Sequence, residues 1–562
     1  MRLRKQTTQW TRAALAGALL LPAAGALANE THVYGIASFG GAGQCDADSH
    51  PVHTKTAQAF ADYFTSLKSG GQWTDVRALA NASVRTDLWT DAAKGTAVNA
   101  KDTQLNAGVD DADVLFVHTH GGHDAASARS FLVMGTDEDS CLAMTDVHMR
   151  LGNGKLDIAV VKACQSGNME VWEQGGYKEL VTHGSGFTVW NAFHGDSSCG
   201  NFVRRYLDDY AANSKNDGVG ENWLDEAYDW GVFKDDCPVS IVFGKTQADR
   251  KAMYATGGWR DRKSTGEKTG SSYFFVKGCD PENGRELYPT AVDTPQQRVL
   301  AATTLSTGFT FDATAIAAPP TGGLPAVLIT RAAFEDAAVH HALLGTREPF
   351  RLTGGLASRR DHESLTWKLE RDPYSGSLLA LRKTESGPAT PQEPSLLQQG
   401  TLSRLQAWGI PTAEVGPVRQ AQGLVRNEEN GAVGAPEVVN HKTFVLRALH
   451  GIRVEGHRAV VSHGVDGAFQ RALIKWPPLA RQGHLLRTLL TPAEIEQRAT
   501  EALLREGETA GPVRLFWKYV PTQLSTGEVT LTLKVGAAMP SFTGASSTEE
   551  PRVVDVDVSP VP

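Results

Sequence analysis

The chain has 562 residues, enough for two to four domains, and its hydrophobic share of 41% is ordinary for a globular protein. Its net charge of −8 is uneven: residues 29–290 carry 24 Lys and Arg against 36 Asp and Glu, whereas residues 291–562 carry 27 of each class. Because nucleic acids bind basic surfaces, the acidic first part argues against a nucleic-acid partner. It is compatible with cationic substrates or a bound calcium ion, and no other cofactor is indicated.

Residues 1–28 have the pattern of a secretory signal. Arg2, Arg4 and Lys5 make a basic start, an apolar stretch follows, and Ala26-Leu-Ala28 is suited to cleavage. The apolar stretch is short for a membrane span, and no second long apolar run follows. We therefore predict a secreted or periplasmic protein with no membrane partner after signal cleavage.

The pattern of residues 29–286 predicts an α/β domain in which strands and helices alternate. Several strands are continuous apolar runs, which suits parallel strands that are covered on both faces. Strands are predicted at 32–39, 111–117, 131–134, 156–161, 187–193, 239–243 and 272–276, and helices at 54–67, 169–181 and 222–230.

Two of these strands stop at a reactive side chain that is followed closely by glycine. His120 follows the strand at 111–117, and Cys164 follows the strand at 156–161. The carboxyl ends of parallel strands share one edge of a sheet, so the two side chains should meet there. A thiolate is a nucleophile, and a neighbouring imidazole can take its proton and later protonate the leaving group.

His-Gly at 120–121 and Ala-Cys-Gln-Ser-Gly at 163–167 resemble the motifs of the caspase-like (clan CD) cysteine peptidases, which include caspases, metacaspases, gingipains, legumain and separase. Two departures from the caspase form are Lys162 in place of the leading Gln and the insertion of Ser166. The Cys-x-Ser-Gly form is closer to metacaspases and separase. The motifs are also similar to those of secreted bacterial proteins with a caspase-like core.

The resemblance covers roughly residues 30–285 and implies a caspase-like βαβ sandwich with a mostly parallel sheet. It implies a cysteine endopeptidase acting on a peptide or protein substrate, with Cys164 as nucleophile and His120 managing the proton. The backbone N–H groups of Gly121 and Cys164 would form the oxyanion hole. By the same resemblance, Asp196 is a candidate pocket residue selecting Arg or Lys before the scissile bond, although a solvated turn aspartate is an equal interpretation.

All six cysteines fall in the first part of the chain, and secreted chains usually pair them. If Cys164 is a free thiol, five remain and at most two disulfides form. The alternative is that Cys164 is itself bridged and three disulfides form. The cysteines are Cys45, Cys141, Cys164, Cys199, Cys237 and Cys279.

Two other functions stay open. His118, His120 and His123 resemble the zinc motif of metallo-β-lactamase-like hydrolases, although Gly122 stands where that family has Asp, and the run at 163–167 is left unexplained. The second alternative is a caspase-like binding module without catalysis.

The remainder of the chain is predicted as a linker at 287–325, a β-rich α+β region at 326–540 and a poorly ordered tail at 541–562. The α+β region has a hairpin-plus-helix pattern that resembles PepSY-type and propeptide-like modules of secreted peptidases. A capping box at Thr491 and Glu494 predicts a helix to about Arg505. Such a region could chaperone, inhibit or dock substrate, and could be cleaved off.

Overall fold

The structure is a computed structural model, and the residues it describes lie between 29 and 561. They are residues 29–39, 50–69, 73–96, 98–136, 140–181, 186–195, 197, 199–215, 218–230, 235–259, 268–277, 303–304, 308–317, 324–329, 337–356, 359–372, 376–383, 392–485, 489–506, 508–523, 529–541 and 552–561.

Strands outnumber helices throughout the described part of the chain. The helices are α1 (Pro51–Ser69), α2 (Met169–Glu173), α3 (Asn201–Asn213), α4 (Val219–Ala227), α5 (Gln247–Thr256), α6 (Ala337–Leu344), α7 (Pro394–Trp408) and α8 (Pro492–Arg505). The strands before residue 280 are β1 (Glu30–Gly35), β2 (Asp75–Ala80), β3 (Val114–His118), β4 (Gly121–Asp124), β5 (Arg129–Val133), β6 (Leu142–Met144), β7 (Ile158–Lys162), β8 (Val189–Phe193), β9 (Cys199–Gly200), β10 (Asp229–Trp230), β11 (Asp235–Asp236), β12 (Pro238–Gly244) and β13 (Gly270–Val276). The later strands are β14 (Thr303–Thr304), β15 (Phe309–Asp312), β16 (Leu324–Ile329), β17 (Arg351–Leu356), β18 (Arg359–Glu363), β19 (Trp367–Asp372), β20 (Ser377–Arg382), β21 (Val415–Glu429), β22 (Ala432–Val433), β23 (Glu437–Leu449), β24 (Ile452–Gly464), β25 (Phe469–Lys475), β26 (Leu479–Leu485), β27 (Gly511–Gln523), β28 (Val529–Ser541) and β29 (Arg552–Val558).

The predicted α/β class is confirmed in its coarse form, a mixed sheet that is partly parallel and carries helices. Strands β2, β1, β3, β7 and β8 lie side by side in that order and are parallel. β12 and β13 then continue the sheet in antiparallel pairing. Each strand predicted before residue 280 corresponds to an observed strand.

The helix predicted at 169–181 is wrong in length, because α2 ends at Glu173. Gly175 has a φ of +82°, in the left-handed region that glycine adopts without strain. At Gly176 a Cβ would lie 2.1 Å from the carbonyl oxygen of Ala128, so only glycine fits there. The glycine pair therefore marks where the chain leaves the helix.

Both faces of the parallel strands are buried, which explains their continuous apolar runs. Phe116 faces one core, where its ring stacks on Phe60 of α1 at a centroid distance of 4.5 Å. Its neighbours Leu115 and Val117 face a second core on the opposite side of the sheet. Alternate side chains of one strand thus enter two cores, as the geometry of a strand requires.

The sheet continues without interruption into the second half of the chain. β13 pairs antiparallel with β21, and β21 pairs with β23, which is followed by β24, β25 and β20. Phe444 of β23 also joins the core that holds Phe60 and Trp223. The two halves therefore share one sheet and one hydrophobic core.

Two of the predicted boundaries need correction. Within the predicted linker at 287–325, β14 and β15 pair with each other, and β15 also pairs with β27. Within the predicted poorly ordered tail, β29 pairs antiparallel with β28 and parallel with β9, and it buries Val554, Val556 and Val558. Alternate apolar residues in this strand face the core, whereas Asp555 and Asp557 on the other face pair with the buried ammonium of Lys518. No helix among the described residues is long and apolar enough to cross a membrane.

Candidate functional site

The candidate site lies where the order of the parallel strands reverses. The chain passes from β1 to its neighbour β2 and then returns to β3 on the other side of β1. At such a switch point, the connections leave the carboxyl ends of neighbouring strands in opposite directions and open a crevice that binds ligands. β3 and the next strand, β7, deliver His120 and Cys164 to this edge.

His120 and Cys164 lie at the same level on neighbouring strands. His118 and Lys162 are paired in the parallel register of β3 and β7, and each reactive residue follows two positions later. The ladder extends beyond the strands, because Thr119 N–H donates to the carbonyl oxygen of Lys162 at 3.2 Å. Neighbouring strands are about 4.8 Å apart, so the register places the backbones of residues 120 and 164 at the same edge of the sheet, on neighbouring strands.

Cys164 carries a free thiol, which removes the alternative that it is bridged. Cys141 and Cys237, in contrast, are disulfide-bonded. The backbone N–H of Ser197 lies 3.4 Å from the Cys164 sulfur, and the carbonyl oxygen of Ser197 lies 3.9 Å from it. The N–H can donate to a thiolate and the carbonyl can accept from a thiol, so the Ser197 backbone can hydrogen-bond Cys164 in either protonation state.

The turn after Cys164 is held in an unusual conformation. Gln165 has a φ of +54°, a left-handed conformation that costs a non-glycine residue roughly 1–2 kcal/mol. Its N–H donates to the Gly195 carbonyl at 2.8 Å, its carbonyl accepts from the Ser130 hydroxyl at 3.1 Å, and its side chain hydrogen-bonds the His123 ring. These bonds offset the strain and fix the direction in which Cys164 projects.

Three large aromatic side chains anchor the rest of the turn. The hydroxyl of Tyr177 and the indole N–H of Trp190 both donate to the Ser166 carbonyl at 2.9 Å. Tyr273 donates to the Gly167 carbonyl at 2.6 Å. All three side chains are fully buried, so the turn is held by hydrogen bonds from core residues rather than from solvent-exposed loops.

His120 is half-buried and surrounded by rings. The ring centroid of Phe39 lies 4.9 Å from that of His120, and those of His50 and His53 each lie 5.2 Å away. No sequence motif marks His50, His53 or Ser197 as a site residue. The available signal for the two histidines was their i, i+3 spacing at the start of α1, which places both side chains on one face of the first turn.

The backbone N–H of Gly121 is not used in the pairing of β4 with β5. Val133 N–H donates to the His120 carbonyl at 2.9 Å, so the next pair along β4 and β5, Gly121 opposite Leu132, is a non-hydrogen-bonded pair. The N–H of Gly121 therefore points away from β5. A Cβ on Gly121 would lie 2.6 Å from the Cys164 carbonyl oxygen, which shows how closely the two backbones approach.

The three histidines of the zinc alternative are directed to different partners. His118 is buried, with its ring centroid 4.1 Å from that of His53, whereas His123 hydrogen-bonds Gln165. No group of three or more His, Cys, Asp or Glu in the described ranges could hold a metal ion. Asp196, the predicted pocket residue, lies outside the described residues.

Replacing Gly121 by alanine is expected to lower the rate at which Cys164 reacts with a peptidyl acyloxymethyl ketone. The new Cβ would contact the Cys164 carbonyl and lie 3.0 Å from the Ala163 Cβ, so the nucleophile's backbone must shift. A displacement of half an ångström would cost roughly tenfold. Labelling of Cys164 by a peptidyl acyloxymethyl ketone measures the effect. Gly400→Ala in α7, where nothing lies within 4 Å of the added Cβ, is the control, and equal rates in both variants would contradict the prediction.

Comparisons with known proteins find no matching protein family and no matching curated protein. Among solved structures, the chain is similar to an uncharacterized protein from Eubacterium rectale, with 10% identity over 42% of this chain and 82% of that one and a TM-score of 0.27. It is also similar to the C-terminal domain of YpeB from Bacillus megaterium, with 10% identity over 40% of this chain and 99% of that one and a TM-score of 0.20. Similarities this remote leave function to be argued from the site.

Proposed function

We propose that the protein is a secreted cysteine endopeptidase with a caspase-like core that uses a His120–Cys164 dyad. The observation that carries the proposal is a free thiol, on a strained and rigidly anchored turn, at the sheet edge that also presents an imidazole. Strain at a buried turn is commonly found where a reactive group must be held in one direction. The five parallel strands and the two motifs support the caspase-like assignment.

The reaction would proceed by acyl transfer. His120 takes the thiol proton, and the Cys164 sulfur bonds to the scissile carbonyl carbon, forming a tetrahedral intermediate. The N–H groups of Gly121 and Cys164 would donate to its oxyanion. The C–N bond then breaks, and His120 gives its proton to the leaving amine. His120 next takes a proton from water while the oxygen attacks the thioester carbon. The C–S bond then breaks, the acid product is released, and the sulfur recovers its proton from His120.

Substrate preference for Arg or Lys is part of this proposal and depends on Asp196. The acidic composition of residues 29–290 favours cationic substrates. Secretion rests on the signal-like residues 1–28, which lie outside the described residues, and the disulfide-bonded Cys141 and Cys237 are in keeping with an oxidising compartment.

The test is covalent labelling of the full mature chain by peptidyl acyloxymethyl ketones with Arg, Lys or Leu next to the reactive group. We expect one label per chain, located on Cys164 by peptide mass spectrometry, and its loss in Cys164→Ala and in urea-unfolded wild type. Labelling is repeated after limited proteolysis and with calcium, so that a zymogen is detected. A folded chain that takes no label under any of these conditions would overturn the proposal and favour a non-catalytic binding module.

A further inference from the structure

The ring of His120 is in contact with a second, deeper imidazole. His53 lies in the first turn of α1, fully buried, and its ring meets that of His120 almost at a right angle, with an interplanar angle of 73°. His50 contacts His120 in the same edge-on manner at 72°. A third ring, that of Phe39, lies with its centroid 4.9 Å from that of His120 at an interplanar angle of 41°.

The hydrogen bond at His53 Nδ1 defines its tautomer. Nδ1 lies 2.7 Å from the carbonyl oxygen of Ile36, and a carbonyl oxygen can only accept, so Nδ1 carries the proton. Burial, together with the neighbouring rings of His118, His120 and His50, holds the pKa of His53 well below its usual range. The neutral ring therefore has Nε2 as its acceptor atom.

The His53 ring also contacts the ring of His118. The two ring centroids lie 4.1 Å apart at an interplanar angle of 37°. Burial and then the nearby ammonium of Lys162 hold the pKa of His118 well below its usual range. Lys162 itself lies over the Phe193 ring at 4.4 Å. His53 and His118, the two most deeply buried imidazoles of this cluster, therefore stay neutral at physiological pH.

We propose that His53 is a positioning residue and the third member of the site, accepting a hydrogen bond from the His120 ring so that the other His120 nitrogen is directed at Cys164. The inference rests on the proposed function, because it assigns a role relative to the His120–Cys164 dyad. Neighbouring groups that face the arrangement are the imidazoles of His50 and His118, and Lys162 stands behind His118.

A neutral acceptor suits this role. When the Cys164 proton moves to His120, the imidazolium has two N–H groups, one for the thiolate and one for the acceptor. A neutral imidazole stabilises that second N–H without placing a buried negative charge beside the thiolate, where repulsion would raise the thiol's own pKa. His53 would thus stabilise the thiolate–imidazolium pair without adding a second negative charge near the Cys164 sulfur.

The experiment compares His53→Phe, which keeps a ring but has no acceptor, with His53→Gln, whose amide oxygen can reach the place of Nε2. The readout is the pH midpoint of Cys164 alkylation by iodoacetamide, which needs no substrate. Removal of the acceptor should raise the midpoint by about one unit, a tenfold loss of thiolate at a given acidic pH. His53→Gln should restore most of the shift, and His441→Ala in β23 is the matched control.

The outcomes separate this inference from the proposed function. A wild-type midpoint near 8.5 that does not respond to His120→Ala would remove the dyad itself. A low wild-type midpoint that rises in His120→Ala but not in His53→Phe would overturn only the role of His53. If circular dichroism shows that His53→Phe does not fold, imidazole ¹⁵N spectra of the wild type decide. We expect His53 to be neutral and protonated on Nδ1 at pH 7, and a doubly protonated His53 at that pH would overturn the inference.

Discussion

Replacing His120 by alanine is expected to raise the pH midpoint of Cys164 alkylation to about 8.5, the value of an ordinary thiol. Under the proposed dyad, the thiolate is stabilised by the His120 imidazolium and by the Ser197 N–H, which lies 3.4 Å from the sulfur. Alanine removes the positive charge and leaves only the weaker backbone donor. The same change should lower hydrolysis of fluorescein-labelled casein by roughly 10²- to 10⁴-fold, because the proton transfers to and from the leaving amine are lost.

The midpoint is the decisive quantity, not the alkylation rate at one pH. A thiol of higher pKa has less thiolate at pH 6.5, but each thiolate is a stronger nucleophile, and this offsets about half of the loss on a logarithmic scale. Absorbance of the thiolate at 240 nm gives an independent titration curve, with Cys164→Ala as the blank. His441→Ala should leave the midpoint unchanged. If the midpoint in His120→Ala equals that of the wild type, the two residues do not form a dyad.

The sheet edge that carries the site could be predicted because the information is local. Continuous apolar runs indicate strands buried on both faces, and the reactive residues follow directly after two of them. The adjacency of His120 and Cys164 then required only that β3 and β7 be neighbours in a parallel sheet, which the register confirms. Hydrophobic periodicity and the rule for strand ends were sufficient.

The surroundings of His120 could not be predicted, because they come from tertiary packing. His53 and His120 are 67 positions apart and meet only where α1 packs beside β3. The left-handed conformation of Gln165 was equally hidden, since it is stabilised by Ser130, Gly195 and His123 rather than by its own propensity. His120 and Cys164 could therefore be singled out from the sequence, whereas the residues that contact them could not.

The predicted domain boundary at residue 287 was based on a change in amino-acid composition. Composition does not show whether the segments on either side pack into one hydrophobic core. The partner strands β13 and β21 are separated by more than a hundred residues of sequence. Complementary buried charges were also invisible, since each appears in the sequence as an ordinary polar residue. The buried acids of α4 belong with basic residues of β23 and β25.

Replacing Lys442 by methionine is expected to lower the free energy of unfolding by about 3–5 kcal/mol, the typical cost of breaking a buried ion pair on one side. Lys442 is fully buried in β23, and its Nζ lies 2.9 Å from Glu221 and 2.7 Å from Asp225, both in α4. Arg471 of β25 lies 3.3 Å from each of the same carboxylates. Without Lys442, two buried carboxylates would share one guanidinium.

The pH dependence of this penalty has a definite sign. Burial alone raises the pKa of Glu221, but Lys442 and Arg471 outweigh it and hold that pKa below its usual value. Lys442 makes the larger of the two attractions that oppose the effect of burial. Without Lys442, the pKa of one of the two carboxyls should therefore lie above its value in the unfolded chain. The folded variant then binds a proton more tightly than the unfolded chain, and its deficit should shrink as the pH falls from 8 to 5.

Urea unfolding of the full chain, followed by tryptophan fluorescence and circular dichroism, measures the effect. Lys383→Met is the control, because Lys383 forms a half-exposed pair with Glu363 at 3.1 Å that should contribute less than about 1 kcal/mol. The double variant Lys442→Met/Asp225→Leu restores charge balance and should recover most of the loss. If Lys442→Met were no more damaging than Lys383→Met, the halves would not depend on this network. If the prediction holds, removing the second half of the chain would expose the acidic side of α4 and one face of the shared core. The second half would then act as part of the same folded unit as the first.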